Sequence, residues 1–132
     1  MESYLWIALG SALGGMGRFW CSGFAAQNIG DDFPWGTIGI NIIGSFIIGF
    51  FATLSGPDGR ILVRPEHRQF VMIGLCGGFT TFSSFSLQTM TLVQSGDWGH
   101  AGLNVMLSVA LCLVAVWIGH IAAAAVNQLK GA

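Results

Sequence analysis

The stretch GGFTTFSSFS, residues 77–86, lies inside a long apolar run and decides how that run folds. Its ten residues include two glycines, five hydroxyl side chains and three phenylalanines. Gly77 and Gly78 in the middle of a helix favour a local break there, which releases backbone carbonyls from their helical hydrogen bonds. At membrane depth such irregular backbone is stable only where protein, water or an ion satisfies it. The stretch therefore predicts a helix that is interrupted to build a site.

The composition of the chain is that of a membrane protein. Of its 132 residues, 53% are hydrophobic and 8% are charged, whereas about a quarter of the residues of an ordinary soluble domain are charged. A bilayer core of about 30 Å requires roughly 20 apolar residues per helix, and four stretches meet this requirement: residues 4–26, 35–54, 70–93 and 101–126. We predict an all-α membrane protein with one domain, residues 1–132, made of four transmembrane helices of which the third is broken.

Charge, cysteine count and loop length exclude several classes of function. A net charge of −1 provides no basic surface for nucleic acid. The three cysteines are odd in number and fall within the predicted spans, which favours small buried side chains over disulfides. The longest polar loop, residues 55–69, is too short to form a catalytic domain, and the histidines lack metal-ligand spacing. We therefore predict that the protein is not an enzyme and binds neither nucleic acid nor nucleotide.

Arg18 is the one lysine, arginine, aspartate or glutamate residue inside the predicted spans. Its side chain would either extend to the membrane interface or place a permanent positive charge at a water-filled mouth, where it would attract anions. None of the spans contains an aspartate or glutamate, which a cation pathway or a proton relay usually requires. The sign of the buried charge therefore favours an anion.

Polar side chains form two stripes in the predicted spans. Their members are four residues apart and hence share a helix face: Thr37, Asn41 and Ser45 in the second span, and Asn104, Ser108 and Cys112 in the fourth. Such side chains commonly join packed helices by hydrogen bonds, and they also suit a pathway, because neutral donors hold an anion without trapping it. Gly10 and Gly14 share the same spacing and predict a closely packed helix face.

Two features of residues 77–86 would serve an ion. Carbonyls released by a break would form a small oxygen-lined cation site. Phe82 and Phe85, three residues apart, project from one face, and the positive edges of their rings would replace part of the hydration of an anion. Paired phenylalanines in a membrane helix are more often simply packed together, so these residues alone leave both interpretations open.

Three motifs occur at residues 74–86, GLCGGFTTFSSFS, at residues 36–41, GTIGIN, and at residues 14–18, GGMGR. They strongly resemble motifs of the Fluc (CrcB) family of bacterial fluoride channels. The chain length and the four spans are also similar, so the resemblance covers essentially the whole chain. It implies a fluoride-selective ion channel in the bacterial inner (plasma) membrane that passively exports fluoride and lowers its cytoplasmic concentration.

The resemblance also implies roles for single residues. Those that match the fluoride pathway of the family are Phe82, Phe85, Asn41, Thr37, Ser84 and Ser108. Arg18 matches the arginine of the first helix, at the vestibule. The backbone carbonyls of Gly77 and Thr80 match those that hold a structural Na⁺ ion, which is shared between two subunits and is not transported. Cys112 occupies a position where a hydroxyl would be expected.

The implied assembly is an antiparallel homodimer of dual topology, with fluoride, the lipid bilayer and a second copy of the chain as partners. The distribution of basic residues points the other way. With four spans, the side of the membrane that holds both termini and the middle loop carries Arg60, Arg64, Arg68 and Lys130, and the loops opposite carry no lysine or arginine. Such a bias ordinarily fixes the termini in the cytoplasm. The resemblance nevertheless favours dual topology.

Two other classes of function are considered. A small four-helix exporter has a similar size, but its proton coupling requires a carboxylate within a span, and the predicted spans contain none. A membrane scaffold subunit would explain the small-residue faces as packing. It would leave the helix break and the two polar stripes unexplained.

Overall fold

The computed structural model describes residues 1–129, which are almost entirely helical. The helices are α1 (Glu2–Asn28), α2 (Trp35–Leu54), α3 (Pro65–Gln69), α4 (Gly77–Phe79), α5 (Phe82–Gln94) and α6 (Trp98–Leu129). A π-helical segment, Phe70–Cys76, joins α3 to α4 without a gap. The third predicted span is therefore one long helical stretch that is interrupted once, between α4 and α5. This confirms a broken third helix.

The observed helices contain all four predicted spans, and α2 coincides with the second. The third begins earlier than predicted because Pro65 occupies the first helical turn, where its missing N–H is not needed. The fourth begins at Trp98, since the carboxylate of Asp97 accepts a hydrogen bond from the backbone amide of His100 at 3.2 Å and so caps α6. The polar loop between the second and third spans is accordingly shorter than predicted.

Within residues 1–129, three helical stretches are long and apolar enough to cross a membrane: Trp35–Leu54, Pro65–Gln94 and Trp98–Leu129. The 27 residues of α1 would extend about 40 Å at 1.5 Å per residue, so its length also suffices. Its glycines, its serines and Arg18 make it less apolar than the other three. The protein is thus an all-helical, multi-pass membrane protein.

Glycines allow α1 to lie directly against the third span. A Cβ atom at Gly74 would stand 2.8 Å from the carbonyl oxygen of Ile7, and one at Gly78 would stand 2.7 Å from that of Ser11. Gly10 and Gly14 face the same contact from α1, where an added Cβ would collide with the backbone of the third span. The prediction of a close-packed face at Gly10 and Gly14 is confirmed.

The middle loop and the two ends of the bundle meet at one side. A guanidinium nitrogen of Arg64 lies 3.6 Å from the carboxylate of Glu2, at the start of α1. The backbone amide of Arg60 donates to Oδ1 of Asn127, near the end of α6, at 2.7 Å. The arginines of the middle loop therefore lie beside both ends of the described chain. Lys130, which belongs to the predicted basic cluster, lies outside the described residues.

Candidate ion pathway at the helix break

The break in the third span lies three residues beyond its predicted position. Gly77 is helical, with φ −65° and ψ −35°, and α4 continues through Phe79. The chain becomes extended at Thr80 (φ −83°, ψ 160°) and Thr81 (φ −152°, ψ 119°). The prediction of a break at Gly77 and Gly78 is therefore wrong. Neither threonine needs a positive φ, so glycine is not required at the break.

Asn41 of α2 holds the extended backbone in place. Its Nδ2 donates to the carbonyl oxygen of Thr81 at 3.0 Å, and its Oδ1 accepts from the backbone amide of Thr81 at 2.8 Å. One carboxamide thus satisfies both polar groups of a residue that has left the helix. Because an unsatisfied buried backbone group costs about 1–3 kcal/mol, this pairing makes the break stable.

Hydroxyl groups of the two threonines make further hydrogen bonds around the break. Oγ1 of Thr81 accepts from the amide of Ser84 at 3.1 Å and caps α5. Oγ1 of Thr80 donates to the carbonyl oxygen of Cys76 at 2.8 Å. In a continuous helix the amides of Thr81 and Ser84 would bond to the carbonyls of Gly77 and Thr80. Both amides are directed elsewhere, so these two carbonyls lose their helical donors.

Arg18 lies at the break as well. Its Nε donates to the carbonyl oxygen of Gly78 at 3.2 Å, and its side chain is half-buried. The carbonyls at the end of a helix carry partial negative charge, so a guanidinium stabilises the end of α4. The structure thus joins α1 to the broken helix through a charged side chain. A role for Arg18 in attracting anions to a vestibule stays a prediction.

A cavity of about 420 Å³ opens beside the break. Helices α2 and α6 and both halves of the third span line it. Most of the predicted site residues lie on its wall, namely Asn41, Gly77, Thr80, Phe82, Phe85 and Ser108. Ser45 and Cys112, from the two polar stripes, lie there too. Among the described residues, its lining includes no aspartate or glutamate. Neutral polar groups and aromatic rings thus face one space.

Phe82 and Phe85 form a pair at the start of α5. Their ring centroids are 5.2 Å apart and the ring planes meet at 51°, so the rings are not stacked face to face. Phe85 is 9% exposed, whereas Phe82 is 76% exposed. Phe85 therefore belongs to the packed interior, and Phe82 extends from the surface of the single chain.

Thr89 links the second polar stripe to α5, and sequence reasoning missed it. Its Oγ1 donates to the carbonyl oxygen of Phe85 at 2.8 Å and accepts from Nδ2 of Asn104 at 2.9 Å. Oγ of Ser108 then donates to Oδ1 of Asn104 at 3.3 Å. Asn104 is 1% exposed and joins two helices, while Ser108 reaches the cavity. The position of Thr89, one turn after Phe85, was the available signal.

Thr37 and Ser84 do not line this cavity. Thr37 lies one helical turn before Asn41 and lines a separate cavity of about 200 Å³, which also includes Asp31, Asp32 and Gln88. Ser84 contributes its backbone amide to the cap of α5. The structure therefore assembles most of the predicted pathway residues in one place and leaves these two outside it.

Oxygen atoms are the available ligands for a cation at the break. The three cysteines are free thiols, and only Cys76 is buried. Within residues 1–129 there is no group of three histidine, cysteine, aspartate or glutamate side chains that would hold a metal ion. The carbonyls of Gly77 and Thr80, which lack their helical donors, suit a hard cation such as Na⁺.

Comparisons with known proteins place the chain in a family. Residues 5–120 match the family described as "CrcB-like protein, Camphor Resistance (CrcB)". A protein of Opitutus terrae is 64% identical over 131 residues, which cover 99% of each chain. One of Methylocella silvestris is 61% identical over 129 residues, 98% of each chain, and one of Rhodospirillum rubrum is 56% identical over 126 residues, 96% of this chain and 98% of that one. All three are named fluoride-specific ion channel FluC. The chain therefore belongs to the CrcB-like family.

Proposed function

We propose that this protein is a fluoride-selective ion channel that passively exports fluoride. The observation that carries the proposal is the cavity beside the helix break, where Phe82, Phe85, Asn41 and Ser108 meet. Similar proteins that align over nearly the full chain are named fluoride-specific ion channels, which supports the choice of anion. Fluoride would lie against neutral donors and ring edges along this cavity.

The energetic requirement is to compensate the dehydration of fluoride. Transfer of an uncompensated small anion to a low-dielectric interior costs on the order of tens of kcal/mol. Asn41 uses one of its two amide N–H groups on Thr81, so the second is available to an anion. The hydroxyl of Ser108 donates to Asn104 and would rotate to donate to fluoride. Each contact is weak and neutral, which permits entry without trapping.

The two alternative functions are less consistent with the site. A proton-coupled exporter requires an intramembrane carboxylate, and among the described residues the cavity lining contains none. The role of a scaffold subunit does not explain the extended backbone at Thr81, which is hydrogen-bonded to the carboxamide of Asn41 on another helix. The same cavity offers no arrangement for covalent chemistry or for a nucleotide, so a passive, non-enzymatic pathway fits it best.

We further propose that the protein is an antiparallel homodimer in the bacterial inner membrane, with all four long helices crossing the bilayer. Phe82 and Gly77 are exposed on the surface of a single chain and line the cavity, so a second copy would enclose the pathway. A cysteine introduced at Asp58, in the middle loop, should react with a membrane-impermeant reagent from both sides of the native membrane. Labelling from one side alone would contradict dual topology.

A structural Na⁺ ion is proposed at the dimer interface. The carbonyls of Gly77 and Thr80 supply two oxygens per chain, which is too few for a hard cation. Two more from a second chain would complete a four-oxygen site, and the bound charge would stabilise the carbonyl ends of the broken helices. The ion would not be transported. Prolonged removal of sodium from both sides should abolish fluoride flux, and undiminished flux would contradict a structural ion.

Cellular fluoride tests the proposed function as a whole. In a bacterium that lacks its own fluoride export, expression of this protein should lower the fluoride retained after exposure, relative to cells with an empty vector. Chloride content should not change. Unchanged fluoride in cells whose membranes contain the folded protein would overturn the proposal and favour the scaffold interpretation.

A further inference from the structure

A second cavity, which is lined by basic side chains, lies in the middle loop, just after the C-terminal end of α2. There a cavity of about 570 Å³ is lined by the residues that follow α2, Ser55 to Pro57, and by Leu62, Arg64 and Arg68. Among the described residues, two guanidinium groups and no carboxylate line it. The cavity therefore offers positive charge and an apolar side chain in one concave surface.

The length of α2 indicates where this cavity lies relative to the membrane. Its 20 residues extend about 30 Å, which matches the hydrocarbon thickness of a bilayer, so its last turn marks the membrane boundary. Arg68 is bound to that turn: Nε donates to Oγ of Ser55 at 3.1 Å, and Nη2 donates to the carbonyl oxygen of Ala52 at 3.4 Å. With α2 across the bilayer, the guanidinium of Arg68 would lie near the level of the phosphate groups of lipids.

Arg68 retains the capacity to bind an anion. A guanidinium carries five N–H donors, and two of these are used on α2, so three remain. Arg64 is more loosely held, since its ion pairs with Glu2 at 3.6 Å and Glu66 at 3.3 Å leave 63% of its side chain exposed. The pair with Glu2, whose side chain is 58% exposed, contributes little stability, so Arg64 can also contact another anion.

The loop also presents an apolar group to the membrane. Leu62 is 94% exposed and Ile61 is 38% exposed, and both follow Arg60 directly. An exposed leucine in a water-facing loop contributes no hydrophobic free energy. At the membrane boundary, the same side chain would be removed from water by contact with an acyl chain. Arginine beside an exposed leucine therefore matches the two parts of a lipid, a charged headgroup and an apolar tail.

We propose that this cavity binds the headgroup phosphate of an anionic phospholipid. Arg68 is the principal phosphate ligand, Arg64 is the second, and Leu62 contacts the acyl chain. Arg68 already connects α3 to the end of α2, so the bound lipid would stabilise the corner between the second and third spans. The site is separate from the cavity at the helix break and does not depend on the transported ion.

Thermal unfolding of the purified protein in a neutral detergent tests the site. Added phosphatidylglycerol should raise Tm, and phosphatidylcholine at the same concentration should raise it less, because its choline cation offsets the charge of its phosphate. Arg68→Gln should weaken the apparent affinity for phosphatidylglycerol by about tenfold, as the loss of a charged hydrogen bond does. Arg60→Gln is the matched control, because that guanidinium donates to the carbonyl oxygen of Val126 at 3.4 Å and does not line the cavity. It should leave the lipid effect unchanged.

Two further measurements separate a lipid from other sources of phosphate and from misfolding. Inorganic phosphate alone should not raise Tm, and Leu62→Ser should reduce the effect of phosphatidylglycerol. If Arg68→Gln does not fold, Arg64→Gln carries the same test with a smaller expected loss. Equal effects of the two lipids, an equal effect of inorganic phosphate, or equal losses in the cavity variant and in Arg60→Gln would each overturn the proposal.

Discussion

Two dipeptides in the third span, Gly77–Gly78 and Thr80–Thr81, behave in opposite ways. The glycines have the weaker helix propensity, yet they remain helical, and the threonines leave the helix. The difference lies in the hydrogen bonds that each pair is offered. Asn41 pairs with both backbone groups of Thr81, and the threonine hydroxyls satisfy neighbouring groups.

Gly78 has another task, which is to let α1 approach the third span. A Cβ at Gly78 would stand 2.7 Å from the carbonyl oxygen of Ser11, whereas one at Gly77 would have no neighbour within 4 Å in the single chain. In this span, then, Gly78 marks close packing, and the two threonines mark the break. A helix is interrupted where its hydrogen bonds are replaced, because low propensity alone does not satisfy the released backbone groups.

The largest expected effect comes from the residue that holds the break. Asn41→Asp loses the N–H that binds the Thr81 carbonyl and places a negative charge on the cavity wall. Repulsion between two charges 4 Å apart is about 4 kcal/mol at an effective dielectric constant of about 20, which reduces a rate about a thousandfold. Fluoride efflux from liposomes should therefore be almost abolished at neutral pH.

The same substitution at Asn28 is the control for this prediction. Asn28 is exposed at the end of α1, where its Nδ2 donates to the carbonyl oxygen of Phe24 at 2.8 Å. Asn28→Asp should conduct like the wild type. Normal conduction in Asn41→Asp would show that the hydrogen-bonded pair of Asn41 and Thr81 is not part of the pathway.

A second large effect is expected at the aromatic pair that follows the break. Phe82→Ile and Phe85→Ile keep an apolar side chain but remove the positive ring edge, so each should reduce fluoride flux while the protein still assembles. Phe85→Ile should also lower Tm, because Phe85 is 9% exposed and packs inside the single chain. Phe46→Ile, on α2 and away from the cavity lining, is the control. Undiminished flux in both Phe82→Ile and Phe85→Ile would show that the two rings contribute only to packing.

Replacing each of the two glycines by alanine is expected to change the free energy of unfolding in opposite directions. Gly78→Ala forces α1 and α4 apart, and overpacking of this kind typically costs about 1–3 kcal/mol. In the single chain, Gly77→Ala adds a methyl group to open space at a helical position, where the change from glycine is usually worth about 0.4–1 kcal/mol in favour of folding. Denaturant unfolding of the monomer in detergent compares the two variants, because a second copy would cover Gly77. Equal destabilisation would contradict the assignment of Gly78 alone to the contact with α1.

The smallest effects concern two helix caps in different surroundings. Thr81 caps α5 beside the cavity with a hydroxyl, and Asp97 caps α6 with a carboxylate in an exposed turn. Hydrogen bonds from the amide and the ring of His100 lower the pKa of Asp97. A lowered pKa in the folded state means that this stabilisation is present above the ordinary aspartate range and is lost as the pH falls through the lowered pKa.

Unfolding at neutral and acidic pH distinguishes the two caps. Thr81→Val should cost about 1 kcal/mol at every pH at which the protein folds. The difference between the wild type and Asp97→Ala should be small at pH 7 and should shrink below about pH 4, where an aspartate becomes protonated. A constant difference for Asp97→Ala across this range would show that its charge does not contribute to the cap.

The features of the fold that depend on a local sequence pattern could be predicted from the sequence. The number of long helices, the limits of α2 and the contact face at Gly10 and Gly14 were all predictable, because run length and small-residue spacing are visible in one chain segment. Most cavity-lining residues were also identified, from polar spacing and from the resemblance to the channel family.

The remaining features depend on contacts between distant residues. Asn41 and Thr81 are forty positions apart, so their pairing, and with it the position of the break, had no local signal. The bond from Asn104 to Thr89 likewise connects α6 to α5. The guanidinium of Arg18 was expected either at the interface or at a water-filled mouth, and its contact with the Gly78 carbonyl spans sixty positions. Thr37 was grouped with Asn41 by spacing, but one turn along α2 places it in another cavity.

Passive conduction of fluoride is the central claim, and liposomes that contain only this protein test it most directly. Vesicles loaded with potassium fluoride and held without a proton gradient should release fluoride when valinomycin carries potassium out, and should release very little without it. Vesicles loaded with potassium chloride should retain their anion under both conditions. Fluoride release without valinomycin, or release that needs a proton gradient, would contradict a channel. The absence of release from folded, reconstituted protein would contradict the pathway itself.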